Sequence, residues 1–459
     1  MKILLIQPAK PEKAMGVEDV HMFEPLALEY LAAGVAADHD VRILDMRLDG
    51  DLDSHLLDYR PDVVGITSYT VHVNTVKELL KRIKAANPEI FTVVGGHHAT
   101  VMPKDFFSTD LNAIVQGEGV FPFRELVNRL ERKKELADIP GAVRLENGND
   151  NGPVLIKQGE ALDLDALPFP RRDLTAVHRG SYSCEWMRPL ASVRTSKGCM
   201  FKCRFCALWK LTGGRYLTRK PERIAGELGT IDEKYVFFAD DESLLDTGRM
   251  AALADLIGRA GIKKRYFLYG RSDTISGHPG LIEKWKKIGL ERVFVGLEFY
   301  TDSDLKLINK GTTAEKNEKA VRILKDLDLS MYPMFIVRSE FERKDFADLR
   351  KYCLGLDLDF IGFSVLTPLP GADFYEEVKE KLITSNYDLF DFFHTQLPTK
   401  LPLKDFFHEL AYLYTGSRSL KNQIKYLSRY RLRELPGLLR KYNDFMKRLK
   451  KLADDYIKE

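Results

Sequence analysis

Three of the five cysteines in this chain of 459 residues fall within eight positions: Cys199, Cys203 and Cys206. Their spacing is C-x3-C-x2-C, and the stretch just before them, Ala191–Thr195, reads as a strand. A strand that runs into a loop of three thiols constrains the fold more tightly than any other segment of the chain. Five cysteines are too few and too uneven for a disulfide framework. Thiolates are the protein ligands of iron–sulfur clusters, and four is the usual complement. Three on one loop leave one iron of a [4Fe–4S] cluster without a protein ligand and open to chelate a small molecule. A zinc site would want four ligands in paired spacings, whereas Cys184 and Cys353 stand alone. Zinc, and a chance grouping of buried cysteines, are the competing readings.

The chain on both sides of this loop alternates strand and helix patterns. Short β-branched runs at 2–7, 41–45, 62–67, 91–94 and 112–115 end in Gly, Pro or polar residues. Helical patterns lie between them, such as Pro25–Ala37 and Val73–Ala86; in the second, Val76, Leu79, Leu80 and Ile83 share one face. This predicts a doubly wound, Rossmann-like parallel sheet over residues 1–135, with its ligand site beyond the strand carboxyl ends. Ser68, Gly95, Gly96, His97, His98, Gly117, Glu118 and Gly119 all follow such ends. Residues 136–189 lack a period and read as a linker, with a turn at Asn147–Gly152 and an extended Leu167–Pro170. Over 190–375, strands at Ala191–Thr195, Tyr235–Ala239, Arg265–Tyr269, Arg292–Gly296, Ser330–Val337 and Phe360–Val365 alternate with helices such as Pro221–Ile231 and Arg249–Ala260. Six such units predict a partial (βα)6 barrel, again with its site at the strand carboxyl ends. Residues 376–459 read as a helical extension with breaks at Pro398, Pro402 and Pro436. The fold class is α/β.

The loop Thr195-Ser196-Lys197-Gly198-Cys199-Met200-Phe201-Lys202-Cys203-Arg204-Phe205-Cys206 resembles the signature of the radical S-adenosylmethionine (SAM) superfamily. There the same spacing follows the first strand of a partial barrel, and an aromatic precedes the last cysteine, as Phe205 does here. The resemblance implies a [4Fe–4S] cluster on Cys199, Cys203 and Cys206, with SAM held at the open iron through its amino and carboxylate groups. It also implies cleavage of SAM to methionine and a 5′-deoxyadenosyl radical. Phe205 would lie against SAM. Asp240 and Asp241, in Phe238–Glu242 after the second strand, stand where the family has Gly-Gly-Glu at the methionine end. Arg271 after the third strand and Glu298 in Val295-Gly296-Leu297-Glu298 after the fourth complete the implied SAM set. The plain alternatives are an acidic loop cap, an exposed arginine and a buried, ion-paired glutamate.

Residues 1–135 resemble the cobalamin-binding domain fused to such barrels, on the five-strand order, Glu24–Ala33, Val93–Ala99 and Gly117-Glu118-Gly119. The resemblance implies cobalamin against Arg47, Ser68, Gly95, Gly96, His97, Gly117, Glu118 and Gly119. A dinucleotide site is a weaker reading, because Gln7-Pro8-Ala9-Lys10 after the first strand has no GxGxxG. Many cobalamin domains carry Asp-x-His-x-x-Gly, and this chain has Asp45-Met46-Arg47-Leu48-Asp49-Gly50. Arg47 takes the place of the histidine and, staying protonated, cannot ligate cobalt. The expectation is cobalamin without a lower histidine ligand, with His97 and His98 as alternative candidates.

The two domains together imply methyl transfer to a carbon that is not nucleophilic. Cys206–Arg219, Leu366–Gly371 and His394–Leu403 resemble the hopanoid C-3 methylase group, which borders on bacteriochlorophyllide side-chain methyltransferases. Both imply a large, apolar, polycyclic substrate, with Trp209, Phe299, Tyr300, Phe363 and Leu369 as candidate pocket residues, and an electron donor such as a ferredoxin or flavodoxin. A non-methylating cyclase on the same scaffold and a cofactor sensor with a vestigial barrel are the alternatives; the intact cysteine spacing argues against the sensor.

The net charge of +3 hides an uneven distribution, since residues 416–459 hold 13 Lys and Arg against 5 Asp and Glu. Within them Leu438–Leu452 is a basic amphipathic helix pattern. It is expected either to pack on the barrel or to touch an anionic membrane surface; nucleic acid is not expected as a partner. No stretch reaches 18 consecutive apolar residues and the N-terminus lacks a signal-peptide pattern, so the expected location is the cytoplasm or the inner membrane surface.

Overall fold

Strand β1 (Lys2–Gln7) carries apolar side chains on both faces, Ile3 and Leu5 in one core and Leu4 and Ile6 in another. Such a strand needs cover on both sides. It lies inside a parallel sheet with β2 (Asp40–Asp45), β3 (Val63–Thr67), β4 (Phe91–Gly95) and β5 (Ala113–Val115), in the order β2-β1-β3-β4-β5. Helices α1 (Leu26–Val35) and α3 (Val120–Glu131) cover the Ile3 face, and α2 (Val73–Ala86) covers the other. The order reverses between β1 and β3, the switch point at which such sheets bind ligands. The computed structural model describes residues 1–16, 21–146, 149–150 and 162–456. The turn expected at Asn147–Gly152 lies outside these apart from Asn149–Asp150.

Two strands of this sheet escaped the sequence pattern. β6 (Ala142–Glu146) pairs antiparallel with β5, and β7 (Asn149–Asp150) pairs with β6, extending the sheet to seven strands. Only Val143 and Leu145 alternate there, too short a period to read; the partner β5 is what makes the segment a strand.

The second sheet is the expected partial barrel. β8 (Leu190–Val193), β9 (Tyr235–Phe238), β10 (Arg265–Tyr269), β11 (Leu290–Glu298), β12 (Ser330–Val337) and β13 (Gly362–Val365) are parallel and in sequential order. Outside them α4 (Pro221–Gly229), α5 (Thr247–Arg259), α6 (Pro279–Lys287), α7 (Ala314–Asp326) and α8 (Arg343–Leu356) bury Ile224, Leu253, Trp285, Val321 and Leu349 in one core.

The C-terminal region is helical: α9 (Leu403–Gly416), α10 (Leu420–Leu427) and α11 (Leu435–Leu449). Pro402 and Pro436 start helices rather than break them. Met446, Leu449 and Leu452 are buried in the barrel core, with Tyr442 and Phe445 packed beside them. Of the two alternatives expected for the basic α11, this is packing on the barrel: its apolar face is covered from Tyr442 onward, while Leu439 nearer its start stays half exposed. Among the described residues no helix is long and apolar enough to cross one.

The parts are tied together at several points. The Glu24 carboxylate accepts from Arg179 and from the Ser192 amide of β8. The Tyr387 hydroxyl donates to Asp105 at 2.7 Å. Gly371 has φ of +89°, and a Cβ there would lie 2.9 Å from Val101; only glycine lets this barrel loop approach the first domain so closely.

Candidate active site

The cysteine loop is held by the loop after β9. Asp240, almost fully buried, accepts from the Thr195 amide at 2.6 Å, the Ser196 amide at 2.8 Å and the Thr195 hydroxyl at 2.6 Å. Asp241 accepts from the Gly198 amide at 2.6 Å. Gly198 has φ of +88°, and a Cβ there would meet the Arg215 carbonyl at 2.2 Å, so glycine is obligatory just before Cys199. Burial raises the pKa of both aspartates.

Cys199, Cys203 and Cys206 face one cavity of about 1320 Å³. Burial pushes the Cys206 thiol up to about 12, and ligation displaces such protons. Three thiols on one loop match the donor set of a four-iron cluster that leaves one iron open, whereas a structural zinc site takes four ligands; Cys353 is buried on a helix in the barrel core.

The remaining polar groups lie on neighbouring strand ends. Glu242 is buried; burial raises its carboxyl to about 7. It accepts from the Leu244 amide at 3.2 Å. Arg271 stacks on Phe201, 3.5 Å from the ring centre, and donates to Asp273 at 2.9 Å. Glu298 ends β11 with φ of +60° and takes a 2.6 Å bond from Lys310. A Cβ at Gly296 would meet the Glu298 carboxylate at 2.3 Å, which is why the Gly-x-Glu spacing matters here. Glu242 and Lys310 line the cavity too. Glu242 belongs to the segment Phe238–Glu242, whereas Lys310, in a loop twelve residues beyond Glu298, sits in no motif of the sequence.

The carboxyl edge of the first sheet forms another part of the same wall. Tyr69, Thr70, His97, His98 and Val101 line it. The His97 ring projects into the cavity, edge-on to Tyr69 at 4.9 Å between ring centres. The protein packed around this part of the cavity, with the Lys197 charge nearby, lowers its pKa. His98 is instead held between Asp105 (2.9 Å) and Thr70 (3.1 Å). A Cβ at Gly117, with φ of +75°, would meet nothing within 4 Å, so the end of β5 is open there.

The structure thus brings ten of the expected cofactor residues to one cavity: His97, His98, Cys199, Cys203, Phe205, Cys206, Asp240, Asp241, Arg271 and Glu298. The others lie off its wall. Ser68 is buried, its amide bonded to the Gly95 carbonyl, and a Cβ at Gly96 would lie 2.7 Å from Ser68 backbone atoms; these residues shape the crossing of two strand ends. Gly119 packs against Leu31. Arg47 donates to Asp45 at 2.6 Å and to the Phe23 carbonyl at 2.8 Å. Of the proposed pocket residues, Phe363 and Leu369 line the cavity. Phe299 is buried in the barrel core with Tyr300 packed beside it, and Trp209 lies under Lys202 and Lys210.

Glu118 joins the two domains. It accepts from Arg194 and from Lys197, each at 3.0 Å. Burial opposes its charge, but Arg194 and Lys197 overcome that and hold the carboxyl down to about 2, below the ordinary 4.5. A carboxyl depressed in the folded state stabilises fully above its ordinary value and loses that contribution as pH falls toward the folded one. Glu118→Gln should therefore cost about 2 kcal/mol at neutral pH. In urea unfolding series the difference from the parent should shrink from pH 4.5 down toward 2; a pH-independent difference would show that the charge is not what matters.

The two domains in this order have counterparts among known proteins. Residues 13–127 match the family model described as B12 binding domain, and residues 193–353 match the radical SAM superfamily. The chain is 31% identical to the hopanoid C-3 methylase of Methylococcus capsulatus, over 99% of this chain and 89% of that protein. It is 25% identical to the bacteriochlorophyllide d C-12(1)-methyltransferase of Chlorobaculum tepidum, over 92% and 89%. Its fold is similar to that of TsrM from Kitasatospora setae, a radical S-adenosylmethionine methyltransferase solved with cobalamin and a [4Fe–4S] cluster. The TM-score is 0.68 at 20% identity, covering 83% of this chain and 78% of that one. With both domain models in order and a relative matched along nearly its whole length, this chain belongs to the cobalamin-dependent radical SAM methyltransferases.

Proposed function

We propose that the enzyme methylates an unactivated carbon of a large, apolar, polycyclic substrate, with a hopanoid at C-3 as the first candidate. The observation that carries this reading is the single cavity shared by the cysteine loop, the first sheet's carboxyl edge and a wall of apolar groups including Phe294, Met334, Ile336, Phe363, Leu369 and Phe393. At about 1320 Å³ it exceeds the roughly 300–1,000 Å³ of ordinary small-molecule sites, which suits several ligands side by side.

In this reading Cys199, Cys203 and Cys206 hold the cluster. Glu242, Arg271, Glu298 and Lys310 hold the polar ends of SAM, while Asp240 and Asp241 position the cysteine loop. Tyr69, Thr70 and His97, with the backbone at Gly117, receive cobalamin. When bound, cluster and SAM supply a radical that removes a hydrogen from carbon, and cobalamin supplies the methyl group. The apolar wall orients the substrate and excludes the water that would quench such chemistry. Reduction calls for an external one-electron donor such as a ferredoxin or flavodoxin. Peripheral contact with the inner membrane belongs to the same reading.

Anaerobic expression with cobalamin in cells that make hopanoids, followed by lipid mass spectrometry, tests the substrate. The expected product is a hopanoid heavier by one methylene. The similarity to the Chlorobaculum enzyme favours one second reading: the same gain in bacteriochlorophyllides supplied instead, with unchanged hopanoids, would replace the first. Turnover without mass gain would point to a cyclase.

A further inference from the structure

We infer that the hairpin of α10 and α11 is a docking surface for an anionic lipid bilayer, placed at the lip of the cavity. The inference deepens the function proposed above, and rests on it for its purpose, because an apolar substrate would enter from such a bilayer.

Helix α10 presents Leu420 and Ile424, 73% and 59% exposed, one turn apart on one face. The next residue on that stripe, Leu427, lines the cavity. Leu432, between the two helices, is 84% exposed. Leu439 of α11 is 49% exposed and also lines the cavity, which puts it at the opening. An apolar stripe therefore runs from the outer surface to the inner wall. This is a different surface from the face of α11 that the barrel buries.

Single exposed leucines are ordinary; what sets these apart is the charge around them. Between Arg418 and Lys451 the chain has twelve Lys and Arg against Glu434 and Asp444. Lys421, Lys425, Arg431, Arg433 and Arg440 are all exposed. Aliphatic side chains ringed by cations match an anionic interface, where the apolar groups enter the headgroup layer and the cations meet lipid charge. Nucleic acid fits less well, since the exposed apolar groups here are Leu and Ile, which offer no ring for a base to stack on. A second copy would bring like charge against like.

The test uses the full-length holoenzyme and co-sedimentation with two kinds of vesicle: phosphatidylcholine alone, and phosphatidylcholine with phosphatidylglycerol in equal parts. Binding is expected only to the second and should weaken as salt rises. Ile424→Asp with Leu432→Asp, and separately Lys421→Glu with Lys425→Glu, should each lower partitioning about tenfold or more. Neither pair lines the cavity, so cofactor content and thermal unfolding should be unchanged. Absent binding to the mixed vesicles, or equal binding by variants and parent, overturns the inference. So does association with DNA or with a second copy that the same variants abolish while vesicles are ignored. If hopanoids prove not to be the substrate, vesicle binding persists, so the two failures are separable.

Discussion

Cys203→Ala is expected to form no methylated product and to hold little iron after anaerobic reconstitution. Cys203 is 6% exposed and sits mid-loop, so the change removes one thiolate with little other disturbance. Two remaining thiols cannot hold a four-iron cluster that already lacks a fourth protein ligand. Iron and sulfide analysis, the electron paramagnetic resonance signal after reduction, and product mass spectrometry read the effect independently. Cys353→Ala is the control. That thiol is fully buried on α8, in the barrel core, and should change packing alone, leaving cluster and product intact. Product formation by the Cys203 variant at parental rate would remove the cluster from the mechanism.

Arg292→Met is expected to cost the most stability of any single change considered, about 3–5 kcal/mol, because it leaves a buried carboxylate without its cation. Arg292 is wholly buried at the start of β11 and donates to Glu185 at 2.6 and 3.1 Å. Its guanidinium also stacks on Trp186 at 4.6 Å and Tyr332 at 5.0 Å. Without it, the cation left beside Glu185 among the described residues is His21, 3.6 Å away. The urea midpoint of the transition reported by barrel tryptophans should fall accordingly. Adding Glu185→Gln should restore a large part of the loss, since removing both charges of a buried pair costs far less than removing one. No recovery in the double variant would mean that the aromatic stacking, rather than the ion pair, holds this end of the barrel.

Much of the architecture was legible in advance because it rests on local signals. The parallel strands of both sheets are short β-branched runs, and α2 shows its buried face as Val76, Leu79, Leu80 and Ile83. Boundaries moved by a few residues; β11 begins at Leu290 and ends at Glu298 because its neighbours, not its composition, set where pairing stops. β6 was invisible because its identity is a property of β5. The basic tail pattern left packing and membrane contact both open, and the barrel surface against Met446 and Leu449 shows which part of it is packed.

The sequence by itself determined the cysteine loop, the order of the two domains and most of the groups that surround the site. Spacing and strand ends are one-dimensional facts, and the backbone carries them into space unchanged. Which polar residues face the cavity was a matter for the tertiary structure. Asp240 and Asp241 turn to backbone amides of the cysteine loop, leaving Glu242 and Lys310 among the cavity's charged lining. Arg47 turns to Asp45, and Glu118 is drawn to Arg194 and Lys197 across the domain junction. A buried charge goes to whatever partner packing brings within reach, and that partner is usually far away in sequence.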